Sequence, residues 1–311
     1  MTEALRLVPV EFDPFAPASG PAIAVTAPTT EPQRELWTAA RFGDDANLAY
    51  NESVTLRLHG ELDARALSAA VTDLVARHDA LRATLSGDGV SLCISEPWTL
   101  DLAVQDLSDL DQVARAATFA AHLEAIVSRP FDLARGPLFR ADLLRFSAHE
   151  HALTLTAHHV VCDGWSTAVL LRDLLSSYEA RREGRVAALP PAPSFAEYAR
   201  TEPHRSPEAQ AAEAYWAAKL AGSLPPLELP TDRPRPQLKT YASRRLDRTL
   251  DEALVRGVRQ LGAKVGASLF STLLCGFAAL LHRLTGQEEL VVGSRPPGSR
   301  RRAWKASWAT A

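Results

Sequence analysis

Residues 158–164, His-His-Val-Val-Cys-Asp-Gly, lie between a predicted strand and a predicted helix, and they decide the fold. The apolar run Ala152 to Thr156 precedes them, and apolar residues recur at helical spacing from Thr167 to Arg182. Adjacent side chains at a strand end point to opposite faces, so one histidine can face a cleft while the other anchors the turn. Turns of this kind commonly carry binding and catalytic side chains. The stretch therefore predicts a functional site at one end of a sheet.

The residue types in this stretch indicate proton-transfer chemistry. A neutral imidazole with an ordinary pKa near ~6.5 can take a proton from an amine, hydroxyl or thiol and pass it on. Asp163 is expected to lock the turn through a buried ion pair or backbone hydrogen bonds. Gly164 is expected to allow a tight bend or close approach of a substrate. The pattern is typical of a general base that has no nucleophile of its own.

Three other interpretations of the stretch are less well supported by the sequence. A chance pair of core histidines is disfavoured, because four specified residues in a seven-residue frame arise by accident on the order of once per thousand sequences. His159 and Asp163 have tolerable metal-ligand spacing beside Cys162, but no third ligand converges in sequence. Cys162 as a nucleophile has no local feature that depresses its pKa, so a small buried thiol is favoured.

Hydrophobic periodicity places further elements on both sides of this stretch and predicts an α/β chain in two lobes. Asp63 is expected to cap a helix. Prolines at 190, 191 and 193 indicate a hinge or domain boundary. The predicted strands are Ser53–Leu58, Leu138–Phe146, Ala152–Thr156, Ala242–Leu250 and Glu289–Val292. The predicted helices are the one after Asp63, Leu110–Val127, Thr167–Arg182, Phe195–Tyr198, Pro207–Leu220, Asp251–Lys264 and Ser268–Leu284.

Composition excludes several classes of protein. The 311 residues are 46% hydrophobic and 23% charged, as in ordinary globular domains, and not as in disordered or coiled-coil chains. A net charge of −3 gives no argument for binding nucleic acid or an anionic membrane. Three widely spaced cysteines do not form a disulfide framework. With no signal peptide pattern and no apolar run of ~20 residues, the sequence predicts a cytoplasmic protein.

Several motifs together resemble the condensation domains of nonribosomal peptide synthetases, members of the chloramphenicol-acetyltransferase-like superfamily. Residues 158–164 are similar to the family motif HHxxxDG. Thr30 to Trp37 resembles the first motif, with Pro32 where Ala is more usual. Residues 77–85 resemble RHExLRTxF, with Asp, Ala and Leu replacing Glu, Thr and Phe. Residues 131–140 and Ser194 to Ala199 are also typical, so the resemblance covers about residues 28–294.

The resemblance implies an α/β, two-lobed chloramphenicol-acetyltransferase-like fold whose first lobe is complete and whose second lobe is incomplete. It implies a leader or linker at residues 1–30 and an N-terminal condensation lobe with the histidine motif at 31–188. A partial C-terminal lobe would follow at 189–294. Residues 295–311 form a basic, off-pattern tail.

The same resemblance implies roles for individual residues. His159 would be the catalytic histidine, as a general base or by positioning the attacking amine. His158 would be structural. The other implied roles are an ion pair from Asp163 to Arg77 or Arg82, an oxyanion site lined by the Gly164 amide, and a site wall formed by Trp165 and Ser166.

The implied reaction is amide formation between two carrier-bound thioesters. The implied partners are donor and acceptor carrier proteins with adenylation or polyketide modules, without nucleic acid or membrane. No cofactor or metal would be bound, because the phosphopantetheine arms belong to the carriers. Two alternatives stay open: a non-catalytic module that docks carriers or recruits a partner, and an ester-forming or epimerising relative.

The end of the chain carries a separate expectation. Codons for residues 304–308, read one base earlier, can encode Leu-Glu-Gly-Leu-Val, which resembles the text before the family's fifth motif. A one-base frameshift near the Ser294 codon would account for this, and resequencing that DNA tests it. A chain lacking the remainder of its second lobe would expose apolar surface of the helix Ser268–Leu284, so we expect it to be unstable or inactive in isolation.

Overall fold

The computed structural model describes residues 22–201, 207–222, 226–234, 236–237, 239–241, 243 and 246–293. The described residues divide into two compact units, the first formed by residues 22–201 and the second by the described residues between 207 and 293. The predicted leader up to residue 21 and the predicted tail from residue 295 lie outside the described residues.

The described part of the first unit contains two sheets. The strands are β1 Ile23–Pro28, β2 Asn51–His59, β3 Ala83–Leu85, β4 Ser91–Ser95, β5 Val104–Asp106, β6 Phe139–Ser147 and β7 Glu150–His158. One sheet has the order β1-β4-β3 and the other the order β2-β7-β6-β5. All pairs are antiparallel except β5 with β6. The predicted β6–β7 hairpin and the predicted strand at Ser53–Leu58 are confirmed.

Helices accompany these sheets. They are α1 Glu31–Ala40, α2 Asp44–Leu48, α3 Ala64–Arg77, α4 Gln112–Val127, α5 Gly164–Arg182 and α6 Phe195–Arg200, with a short 3₁₀ helix at Asp79–Arg82. Asp63 caps α3 as predicted, since its Oδ1 accepts from the amides of Arg65 and Ala66 at 3.0 and 2.9 Å.

Strand β7 lies between β2 and β6, and its residues from His151 to His158 are buried on both faces of the sheet. Leu153 and Leu155 face a cluster that includes residues of α3 and α5. Ala152, on the opposite face, packs in a second cluster with Phe119 of α4. Alternate side chains of β7 therefore pack in two separate layers, one on each face of the sheet. The residue that directly follows the strand continues this alternation.

A buried carboxylate joins α3 to α5. Asp173 on α5 is 1% exposed and accepts from Arg77 Nε at 2.8 Å and from His78 Nε2 at 3.0 Å. Burial acts to raise the pKa of Asp173, but the hydrogen bonds from His78, Arg77 and Arg172 outweigh it and hold that pKa well below its ordinary value. The cluster therefore fixes the packing of the two helices.

Two predicted boundaries differ from the structure. Residues 23–28, predicted as leader, form β1, because their backbone pairs with β4. The two strands are far apart in sequence, so local periodicity gives no sign of the pairing. Helix α6, predicted in the second lobe, belongs to the first unit. Its cap Ser194 donates to Asp79 at 2.7 Å, and Arg200 donates to the Thr26 carbonyl at 2.6 Å. The prolines at 190–193 therefore precede the last helix of the first unit.

The described residues of the second unit form helices α7 Pro207–Lys219, α8 Glu252–Ala263 and α9 Leu269–Thr285. The predicted strand Glu289–Val292 is wrong, and no strand forms at the described residues of 242–250. A strand requires a hydrogen-bonded neighbour, and the described residues of this unit provide none. Phe270 and Leu280 on α9 are 64% and 52% exposed.

No helix among the described residues is both long enough and apolar enough to cross a bilayer.

Candidate functional site

The histidine pair lies where β7 ends. His158 is the last residue of β7 and pairs with Asn51 of β2. His159 continues this pairing by one rung, because its amide donates to the Tyr50 carbonyl at 2.8 Å. A turn then leads to α5, which begins at Gly164. The predicted geometry of strand, turn and helix is confirmed.

His158 is held inside the sheet's packing. It is 0% exposed, and its Nδ1 accepts from the Val160 amide at 3.1 Å. Its Nε2 finds no hydrogen-bond partner among the described residues, and its ring lies 6.0 and 6.2 Å from the rings of Tyr50 and Phe131. Burial, helped by the neighbouring His159, lowers the pKa of His158 to about 4. His158 is therefore neutral at pH 7 and anchors the turn.

His159 points to the other face of the sheet, and its side chain is 20% exposed. Its Nδ1 lies 3.0 Å from the Cys162 carbonyl oxygen and 2.6 Å from Oε1 of Glu52. A carbonyl oxygen only accepts hydrogen bonds, so Nδ1 carries the hydrogen in this geometry. Nε2 of the neutral ring then carries the lone pair, which is the arrangement that a general base requires.

A cavity of about 310 Å³ lies near this imidazole within the first unit, but His159 itself is not among the residues that line it. Both residues that contact Nδ1 line it. The remaining lining comes from β2, β6, β7 and α5, and most of it is apolar. The lining residues are Glu52, Ser53, Val54, Phe139, Leu155, Ala157, Cys162, Gly164, Thr167 and Leu170. The cavity is thus bordered by the carboxylate of Glu52 and the thiol of Cys162, while most of its remaining wall is apolar.

The predicted ion pair of Asp163 with Arg77 or Arg82 is wrong. Oδ1 of Asp163 accepts from the amide and hydroxyl of Ser166 at 2.8 and 2.6 Å, so this residue is the N-cap of α5. Arg77 is bound by Asp173 instead, and Arg82 donates to the carbonyls of Val75 and Ser95. Asp163 locks the turn through backbone and hydroxyl hydrogen bonds, which was the other option that the sequence left open.

The remaining predicted residues lie in the first turn of α5. Gly164 does not adopt a positive φ, and a Cβ added there would meet nothing within 4 Å, so neither a tight bend nor close packing against the chain itself accounts for the glycine. Trp165 is 48% exposed, and Ser166 is buried in the cap of its own helix. Neither lines the cavity. The oxyanion role of the Gly164 amide and the wall role of Trp165 stay predictions.

The thiol of Cys162 is poorly suited to act as a nucleophile. Burial, with a contribution from the Glu52 carboxylate, raises the pKa of Cys162 to about 12, so the thiol stays protonated at neutral pH. Among the described residues, no group of three or more His, Cys, Asp or Glu side chains could hold a metal ion. Asp163, which the spacing paired with His159 as a possible metal ligand, accepts through Oδ1 from the amide and hydroxyl of Ser166.

Glu52 is the residue that sequence reasoning missed. A signal was present, because the alternation that places Val54, Leu56 and Leu58 on the core face of β2 extends back to position 52. A carboxylate at the start of an apolar face is unusual unless it has a partner. That partner, His159, is supplied by the pairing of β2 with β7, which the sequence alone did not reveal.

Comparison with known proteins agrees with this architecture. The chain is 39% identical over 272 residues to chondramide synthase CmdD of Chondromyces crocatus, covering 86% of this chain and 7% of that protein. It is 36% identical over 272 residues to phosphinothricin tripeptide synthetase PhsC of Streptomyces viridochromogenes, covering 86% of this chain and 25% of that protein. The chain therefore spans a small part of the length of these relatives.

A solved structure has the same fold. The X-domain in the complex of the X-domain and OxyB from teicoplanin biosynthesis superposes with a TM-score of 0.70 at 30% identity, covering 86% of this chain and 60% of that chain. The mixed α/β fold is thus the chloramphenicol-acetyltransferase-like one that the sequence predicts.

A family model described as Condensation domain matches residues 23–307. The match extends beyond the predicted limits of 28 and 294 at both ends, and it includes β1. Because it takes in both sheets and the turn built around the two histidines, the chain belongs to the condensation-domain family.

Proposed function

We propose that this chain forms an amide bond between a donor acyl or peptidyl thioester and an acceptor aminoacyl amine, both carried on phosphopantetheine arms of carrier domains. The observation that supports this most strongly is the hydrogen bond between Nδ1 of His159 and the Cys162 carbonyl oxygen, which gives the lone pair to Nε2. The name of one relative, phosphinothricin tripeptide synthetase PhsC, supports the same reaction class.

In the proposed mechanism, the acceptor amine attacks the carbonyl carbon of the donor thioester, and Nε2 of His159 takes the proton that the amine loses. The carbonyl oxygen becomes an oxyanion, for which the Gly164 amide at the start of α5 is a donor. Collapse of this intermediate breaks the carbon–sulfur bond, and the departing sulfur receives the proton from the imidazole. Thioesters are already activated, so alignment and management of one proton are the main tasks of the protein.

The apolar wall of the cavity favours this chemistry for a physical reason. A site with few polar groups strengthens the interaction between an imidazolium and its hydrogen-bond partners. His158 is neutral at pH 7, so it adds no competing positive charge beside His159. The two histidines therefore divide the work, one as structural anchor and one as proton acceptor.

The test is made in a version of the chain whose second lobe has been completed, and it compares His159→Ala with His149→Ala in the exposed turn between β6 and β7. Donor and acceptor thioesters are supplied on carrier proteins, and the products are separated by mass spectrometry. Loss of a general base is expected to lower the rate of amide formation by about a hundredfold or more, while the control variant keeps the wild-type rate. An ester or an inverted stereocentre in the product would instead identify an ester-forming or epimerising relative.

A recruitment module is the second candidate. It is favoured by the likeness to the X-domain, which was solved in complex with another protein, OxyB. Such a module would bind a partner without chemistry at His159. Unchanged product formation in the His159→Ala variant would support this candidate and contradict amide formation by this chain.

A further inference from the structure

A carboxylate faces the imidazole that is proposed to accept the proton. Glu52 lies on β2 and pairs with Ala157 of β7, while Tyr50 lies opposite His159. Residues 52 and 159 are therefore diagonal neighbours on one face of an antiparallel pair, a spacing that long side chains can bridge. The register of two strands places the two groups together.

The contact between the carboxylate and the imidazole is short. Oε1 of Glu52 lies 2.6 Å from Nδ1 of His159, and the Glu52 side chain is 34% exposed. Among the described residues, Glu52 forms no ion pair with an arginine or lysine, so its carboxylate is not committed elsewhere. The other nearby carboxylate, Asp163, is committed to the cap of α5.

Proton transfer gives this contact a function. The Cys162 carbonyl already selects the tautomer with hydrogen on Nδ1, and the carboxylate adds a charge that the carbonyl lacks. When Nε2 takes a proton, the ring becomes positive, and its attraction to the adjacent Glu52 carboxylate strengthens. A carboxylate that orients an imidazole and stabilises the imidazolium acts in this way in hydrolytic triads.

We propose that Glu52 is a positioning residue for His159, which fixes the orientation of the ring through Nδ1 and stabilises the imidazolium formed during the reaction. The inference rests on the proposed function for its kinetic consequence, but the contact itself can be measured without activity. It also predicts a larger effect on turnover than on binding, because the added charge appears only as the reaction proceeds.

The kinetic test compares Glu52→Gln with Glu150→Gln. The amide keeps the size and an acceptor oxygen but removes the charge, and Glu150 is a similarly exposed carboxylate at the other end of the same strand pair, bound to Arg57. Glu52→Gln is expected to lower kcat about tenfold with KM within about twofold, while Glu150→Gln keeps both constants. A wild-type kcat for Glu52→Gln, or an equal loss in the control, overturns the proposal.

The second measurement is nuclear magnetic resonance of the chain with ¹⁵N-labelled histidine. Wild-type His159 is expected to show a protonated Nδ1 with its proton at low field, and Glu52→Gln is expected to move that proton to higher field as the hydrogen bond weakens. An unmoved resonance, or hydrogen on Nε2 in the wild type, contradicts the proposal. If the wild type with a completed second lobe forms no product, the proposed function fails, while the resonance still decides whether Glu52 holds the ring.

Discussion

At the scale of single residues, one step along a strand separates two different imidazoles. His158 and His159 are neighbours in sequence, but the pleat places one in the packed interior and the other on the opposite face, beside Glu52. The ring of His158 is fully buried, and the loss of water around it lowers its pKa to about 4. Protonation of this ring is therefore linked to unfolding.

The pKa of His158 is lowered to about 4 from an ordinary 6.5. Between these two pH values, the histidine is mostly protonated in the unfolded chain and mostly neutral in the folded chain. The corresponding stability is present above pH 6.5 and is lost as the pH falls towards 4. Between pH 7 and pH 4.5 this histidine is expected to remove about 2 kcal/mol of unfolding free energy. Urea titrations at both pH values measure it, and His158→Gln is expected to remove this component of the pH dependence.

The exposed His59 on β2 provides the control for that experiment. His59→Gln is expected to keep the wild-type difference in unfolding free energy between the two pH values. Equal pH dependence in wild type and His158→Gln would show that burial of this ring does not govern acid stability.

How far individual residues were predictable depends on whether their partners are near in sequence. The turn role of Asp163 was one of two options, and its true partner Ser166 lies three residues away. The wrong option required an arginine some eighty residues earlier, which only the packing of α3 against α5 could have excluded. Glu52 was missed for the same reason, since its partner is reached through strand register.

At the scale of elements, local patterns predicted the structure wherever the contacts are local. The hairpin β6–β7 and the helices α3, α4 and α5 have periodic faces and capping residues that the sequence displays. Strand β1 was missed because its partner β4 is distant along the chain, and Glu289–Val292 was wrongly predicted as a strand because an apolar run does not reveal whether a neighbouring strand exists.

The cap of α5 yields a prediction at this scale. Asp163→Ala removes the acceptor of the Ser166 amide and is expected to lower the unfolding free energy by about 1 kcal/mol. Asp163→Ser keeps a capping oxygen and is expected to stay within about 0.5 kcal/mol of the wild type. Urea unfolding of both variants measures this. An equal, larger loss in both would favour the charge pairing that the sequence had suggested.

At the scale of the whole molecule, the buried apolar side chains among the described residues are concentrated in the first unit. All but Leu281 of the buried hydrophobic residues lie between residues 27 and 199. The described helices of the second unit keep many large apolar side chains exposed, including Leu261 at 62%. The stability of the described structure is therefore expected to depend on the first unit's core.

Adjacent leucines on α5 measure that dependence. Leu174 is 2% exposed and belongs to the core cluster, whereas Leu175 is 54% exposed. Leu174→Ala is expected to lower the unfolding free energy by about 3 kcal/mol, and Leu175→Ala by about 0.5 kcal/mol or less. Both changes have the same chemistry on one helix, so similar losses in urea unfolding would contradict the location of the core.

The pairing of β1 with β4, together with the bond from Arg200 to the Thr26 carbonyl, sets limits for anyone building chimeric synthetases. Composition alone suggests residue 30 as a fusion point. A fusion there would replace β1 with foreign sequence and leave the edge of β4 without its neighbouring strand. Fusion points upstream of Ile23 and downstream of Thr201 would transfer the sheet that contains β1, together with α6, as one unit.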